Sequence, residues 1–191
     1  MSMAIRNSTA AGDDQQLKTL LADSRTLRKG FELMVSQYSE QLYWQIRRIV
    51  LTHEDADDVL QNTFIKAWNG LASFHGDSKL ITWLSRIAIN ESLDFMRKQK
   101  TIVSVSTDDA DSGLANMLMA DEYFDGDQTE AQLQEAIAGL PDVQRTVFTL
   151  RYYDEMKYSE ISRITGTSEG ALKASYHIAV KKISDFFHRH D

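Results

Sequence analysis

The chain has 191 residues, a formal net charge of −7, one proline and no cysteine, so disulfides, thiolate metal sites and thiol nucleophiles are excluded. Apolar residues at 42% and charged residues at 26% fit a globular chain rather than a disordered, collagen-like or membrane-embedded one. No run reaches the roughly 18 apolar residues of a membrane span, and residues 1–12 hold no apolar stretch of the signal-peptide kind; a cytoplasmic location without membrane insertion is expected.

The charge is unevenly placed. Thr101–Glu135 holds nine acids and no Lys or Arg, so the other residues together carry +2. Lys79–Lys100 and Ala171–His190 each carry +3. Two mildly basic ends around an acidic middle permit a nucleic-acid partner that the net charge alone argues against.

In chain order, residues 1–24 give no element. Phe31, Val35, Tyr38, Leu42 and Ile49 recur at helical spacing and predict a first helix. Thr52, followed three residues later by Asp55, marks the capped start of a second helix, with Ala56, Leu60, Phe64, Ala67, Trp68 and Leu71 as its apolar stripe. Ser73–Ser78 reads as a loop. A third helix over about 80–98 turns Trp83, Leu84, Ile87, Ala88 and Leu93 inward. Residues 101–128 read as an acidic flexible linker, rich in Ser, Thr, Asp and Gly.

Beyond it, Leu133, Ile137 and Leu140 lead to Pro141, and Val143, Val147, Phe148 and Leu150 continue the helical period. A short helix with Ile161 and Ile164 stops at Gly166, a natural left-handed cap. Thr167 or Ser168 then caps a longer helix with Leu172, Tyr176, Ala179 and Ile183 inward. Two helices about a glycine turn form a helix-turn-helix, whose second helix enters the DNA major groove. The expected fold is all-α: two small helical domains, 25–100 and 129–191, joined by the linker.

The run Asp57-Asp58-Val59-Leu60-Gln61-Asn62-Thr63-Phe64-Ile65-Lys66-Ala67-Trp68, then Phe74-His75-Gly76-Asp77-Ser78, then Thr82-Trp83-Leu84-Ser85-Arg86-Ile87-Ala88-Ile89-Asn90, resembles region 2 of the extracytoplasmic-function (ECF) sigma factors of the sigma-70 family. Leu140-Pro141-Asp142-Val143-Gln144-Arg145-Thr146-Val147-Phe148 with Tyr158-Ser159-Glu160-Ile161-Ser162 resembles their region 4. The resemblance implies a non-enzymatic subunit that joins core RNA polymerase, directs it to promoter DNA and helps melt the minus-ten element. It assigns Asp58, Gln61, Asn62 and Ile65 to docking on the coiled coil of the polymerase's largest subunit. It assigns Phe74, His75, Gly76, Asp77 and Ser78 to a pocket for a flipped base, with Asn90 near the adjacent bases and Arg86 and Arg97 near phosphates. An extruded base needs polar groups for its edge, and single strands are held over basic grooves. Many members are held by an anti-sigma factor, which makes one a candidate partner. No cofactor and no metal are expected.

The recognition helix departs from the family: positions that commonly offer arginine hold Ser175, Ile178 and Val180. The minus-thirty-five contacts are therefore expected to rest on Ser168, Glu169, Lys173, Ser175 and His177. Two other readings compete. A polymerase-independent helix-turn-helix regulator requires a two-fold dimer, for which no heptad seam is present. Metal-dependent catalysis at His53-Glu54-Asp55-Ala56-Asp57-Asp58 lacks a second histidine–carboxylate group at helical spacing.

Overall fold

The computed structural model describes residues 6–74, 76, 78–103 and 128–190. Every regular element among them is helical: α1 Arg6–Ala22, α2 Leu27–Val50, α3 His53–Gly70, a 3₁₀ turn Leu71–Ser73, α4 Leu80–Val103, α5 Gln128–Ala138, α6 Asp142–Tyr152, α7 Tyr158–Thr165 and α8 Glu169–His190. The chain divides into two compact units, Met1–Arg47 with Thr52–Phe95 and Arg48–Leu51 with Met96–Asp191.

In the first unit the core is one apolar stripe from each helix. Leu17 of α1, Met34, Leu42 and Ile46 of α2, Ala56, Val59 and Ala67 of α3, and Leu80, Leu84, Ala88 and Ile89 of α4 are buried. Thr52 caps α3 as expected, its hydroxyl accepting from the Asp55 amide at 3.2 Å. The stripe of α3 is rotated from the expected one: Val59 and Thr63 are buried, Leu60 is half-buried and Trp68 is 43% exposed. The Trp68 ring packs edge-on to Phe31 at 4.9 Å.

The helix α1 was not expected, and it is tied down by tertiary contacts. A Cβ on Gly30 would lie 2.9 Å from the Leu20 Cβ, so α1 and α2 approach where only a glycine fits. Gly30→Ala gains about 1 kcal/mol of helix propensity, but overpacking costs about 1–3 kcal/mol. The variant is expected to melt at lower temperature, measured by circular dichroism; an unchanged or raised midpoint would contradict the close approach.

The second unit gathers Ala136, Ile137, Leu140, Phe148, Ala179 and Ile183 around one core, flanked by Leu133, Tyr153, Tyr176, Phe186 and Phe187. Phe148 stacks on Tyr176 at 5.7 Å and 15°. Burial, with the Tyr158 hydroxyl second, pushes the Tyr176 phenol above its ordinary pKa. The Tyr153 hydroxyl donates to Glu130 at 3.2 Å and accepts from Gln134 at 2.9 Å. Val143, on the expected period, is 56% exposed. Gly166 ends α7 in the left-handed conformation, φ 70°, its amide donating to the Ser162 carbonyl at 2.9 Å. Of the residues read as linker, 104–127 lie outside those described, while α4 runs on to Val103.

Candidate polymerase and promoter interfaces

The apolar stripe of α3 faces the core, which leaves the opposite face outward. Asp58, Gln61, Asn62 and Ile65 lie on that face at helical spacing and all four are exposed. Ile65 is 53% exposed, an aliphatic side chain among the polar neighbours Asp58, Gln61 and Asn62. Trp68, three residues on, extends the same apolar patch, and sequence periodicity had placed it inside.

On α4, Arg86, Asn90 and Arg97 recur at spacings of four and seven, share one face and are at least partly exposed. The loop before α4 joins that face: the half-buried Phe74 ring lies 5.0 Å from Trp83, tilted by 37°. Gly76 is exposed with φ 80°, and Ser78 is half-buried. His75 and Asp77 lie outside the described residues. Lys66 of α3 and Glu91 of α4 form an ion pair.

The loop has a support that sequence reasoning missed. Lys18 of α1 donates from Nζ to the Ser78 carbonyl at 2.9 Å and the Gly76 carbonyl at 3.4 Å, and lies 5.8 Å from the centre of the Phe74 ring. Asp14, one turn earlier, pairs with Lys18 at 3.3 Å. The same carboxylate accepts from the Leu80 amide at 3.3 Å, filling an orphan donor at the start of α4. Only the Asp14–Lys18 spacing was visible in sequence, and it is that of any helical ion pair. If the loop holds an opened DNA strand, as the resemblance implies, Lys18→Ala is expected to lower promoter opening several-fold on duplex DNA, with recovery in Lys18→Arg and unchanged polymerase binding; heparin-resistant open complexes measure it.

In the second unit Ser168 caps α8, its hydroxyl accepting from the Ala171 amide at 3.3 Å. Ser168, Glu169, Lys173 and His177 are exposed, whereas Ser175 is half-buried on the other flank of the helix, towards Leu172 and Ala179. The Lys173 ammonium lies 5.8 Å from the Tyr158 ring centre, beside α7. Fixed amides and cations on an exposed helix after a tight turn suit a nucleic-acid groove.

The His53 cluster has a local explanation. The imidazole bridges the Tyr43 hydroxyl (2.7 Å) and the Asp57 carboxylate (3.2 Å), pinning the α2–α3 corner. No group of three or more metal-ligating side chains occurs among the described residues.

Among the described residues, one helical unit ends in a helix-turn-helix and the other presents exposed faces on α3 and α4. The comparisons with known proteins give the family. The model for Sigma-70 region 2 matches residues 34–102 and that for Sigma-70 region 4 matches 130–183. The chain is 31% identical over 169 residues to the RNA polymerase sigma-H factor of Pseudomonas aeruginosa, covering 84% of this chain and 86% of that protein. It is 32% identical to the ECF RNA polymerase sigma factor SigW of Bacillus subtilis, over 77% of this chain and 83% of the other. The fold matches the sigma factor RpoE in complex with the anti-sigma factor NepR from Bartonella quintana, with TM-score 0.64, 23% identity and coverage of 84% and 98%. It also matches CnrH in complex with the cytosolic domain of CnrY, with TM-score 0.62, 22% identity and coverage of 94% and 99%.

The chain belongs to the ECF sigma factors of the sigma-70 family. It is a sigma factor that binds core RNA polymerase and promoter DNA, and its family is one of non-enzymatic initiation factors. The polymerase-independent regulator is not favoured. No described helix is long and apolar enough to cross a membrane.

Proposed function

We propose that the exposed face of α3, through Asp58, Gln61, Asn62 and Ile65, docks on the coiled coil of the polymerase's largest subunit. Residues 74–78 with Arg86, Asn90 and Arg97 hold the non-template strand of the minus-ten element. The helix α8, through Ser168, Glu169, Lys173, Ser175 and His177, reads the minus-thirty-five element. Two DNA-reading units joined through residues 101–128 act together on one promoter, in the cytoplasm. The observation that carries the reading is the separation of faces: in α3 and α4 the polar sets lie opposite the stripes that make the core.

On this reading melting needs no nucleotide hydrolysis. An unstacked base gains contacts in the loop pocket, and phosphates gain Arg86 and Arg97, so binding energy available only to the open strand offsets unpairing. Asn90 is the residue with base-edge chemistry: its amide offers both donors and an acceptor. Asn90→Ala is expected to slow opening about tenfold, as for the loss of one good base contact. The same variant should bind core polymerase normally and recover on a premelted template; loss of polymerase binding instead would misplace this face.

An anti-sigma factor is a candidate partner, since one structural neighbour named above is a sigma factor in complex with the anti-sigma factor NepR. Its contacts would compete with the polymerase- and DNA-binding faces.

A further inference from the structure

We propose that α8, beside the polar contacts already assigned to it, reads thymine methyl groups of the upstream promoter element, with Ala174 and Ile178 as the specificity-determining residues for them. The proposal rests on α8 being the minus-thirty-five reader. Leu172, Ala179 and Ile183 hold α8 to its unit and are buried. The opposite side presents Gly170, Ala174 and Ile178, a row repeating every four residues and exposed throughout, with Ile178 at 45%.

The chemistry of this row decides what it can read. Adenine is distinguished in the major groove by a bidentate Asn or Gln and guanine by Arg or Lys. Between Glu169 and His188 the helix has no Asn, Gln or Arg, and the outward row itself holds no Lys. Lys173, with its ammonium beside the Tyr158 ring of α7, sits on the flank of the row. What the outward row offers is two aliphatic groups, and the apolar feature of a base pair in the major groove is the thymine C5 methyl. Ala174 and Ile178 are about 6 Å apart along the helix axis, close to two base-pair steps of about 3.4 Å. Lys173, Lys181 and Lys182 around them are exposed and supply the charge that a duplex requires.

The test uses holoenzyme, the full chain with core polymerase. Upstream DNA recovered from a randomised duplex pool is resynthesised with each thymine replaced in turn by uracil, which removes only the methyl group. Binding is expected to fall about fourfold at each contacted thymine, the value of one buried methyl group. Ile178→Ala should lose that factor on thymine DNA and become indifferent to uracil at one position. Uracil tolerance at every position, or undiminished uracil sensitivity in Ile178→Ala, would overturn the proposal. A variant identical to the parent on all DNA would assign Ile178 to a protein partner and overturn it equally. Failure of the underlying reading is distinct: the pool would then show minus-ten enrichment with no upstream sequence at all. The substituted position is exposed, and circular dichroism checks that the variant folds.

Discussion

Ile65→Asp is expected to abolish co-elution with core RNA polymerase while leaving the fold intact. The two halves of that expectation have separate physical grounds. Ile65 is 53% exposed, so its removal opens no cavity, and surface changes of this kind stay within about 0.5 kcal/mol in stability. If α3 docks as proposed, the same position is desolvated in the complex, where an unpaired carboxylate is far more costly than in water. Interface residues of this central kind cost about 2 kcal/mol or more when truncated, and an introduced charge adds to that. The dissociation constant should therefore rise about a hundredfold or more, measured by fluorescence anisotropy of labelled chain against core polymerase. Normal binding in a folded Ile65→Asp variant would remove α3 from the docking surface.

The largest effect on stability is expected at Arg145. This side chain is buried, and burial holds its pKa below the usual guanidinium value, only partly countered by Asp142. The guanidinium donates to Asp142 at 2.7 Å, to the Leu140 carbonyl at 3.0 Å, to the Ile49 carbonyl at 3.2 Å and to the Ala138 carbonyl at 3.4 Å. The Ala138 and Leu140 carbonyls lie where α5 ends and the chain turns through Pro141 into α6, so no amide of a continuing helix serves them. Arg145→Leu keeps apolar bulk but leaves the Asp142 carboxylate and the three carbonyls without this partner. The expected cost is about 3 kcal/mol, in the range for breaking one side of a buried charged network. Urea denaturation of the full chain measures it. A loss under about 1 kcal/mol would show that water replaces the guanidinium at little cost.

What sequence could and could not foresee follows from the range of the interactions. The caps at Thr52 and Gly166 depend on groups a few residues apart, and both formed where local chemistry placed them. The helix-turn-helix was legible for the same reason. The helix α1 was not, because Arg6–Ala22 shows no sustained apolar period. Leu17 is buried against the rest of its unit, and Asp14 and Lys18 reach residues some sixty positions away. Trp68 shows the opposite failure: its spacing from Phe64 is that of a core residue. Phe31 packs against the ring, yet 43% of the residue still faces solvent.

The candidate interfaces divide along the same line. Asp58, Gln61, Asn62 and Ile65 were legible as a face because one helix carries them all. Arg86, Asn90 and Arg97 likewise share α4. The Lys18 support of the loop joins two elements through side-chain-to-carbonyl bonds, and no periodicity encodes such a contact. On α8 both the helix and its inward side were legible, because Leu172, Ala179 and Ile183 recur at helical spacing, and all three are buried.

The most direct test of the central claim is transcription in vitro with core RNA polymerase from the protein's own host on that host's genomic DNA, with and without the purified chain. Sequencing the transcript 5′ ends should reveal a discrete set of start sites present only with the chain and lost with Ile65→Asp. Identical start sites in both reactions, or none beyond those of core enzyme, would contradict the account.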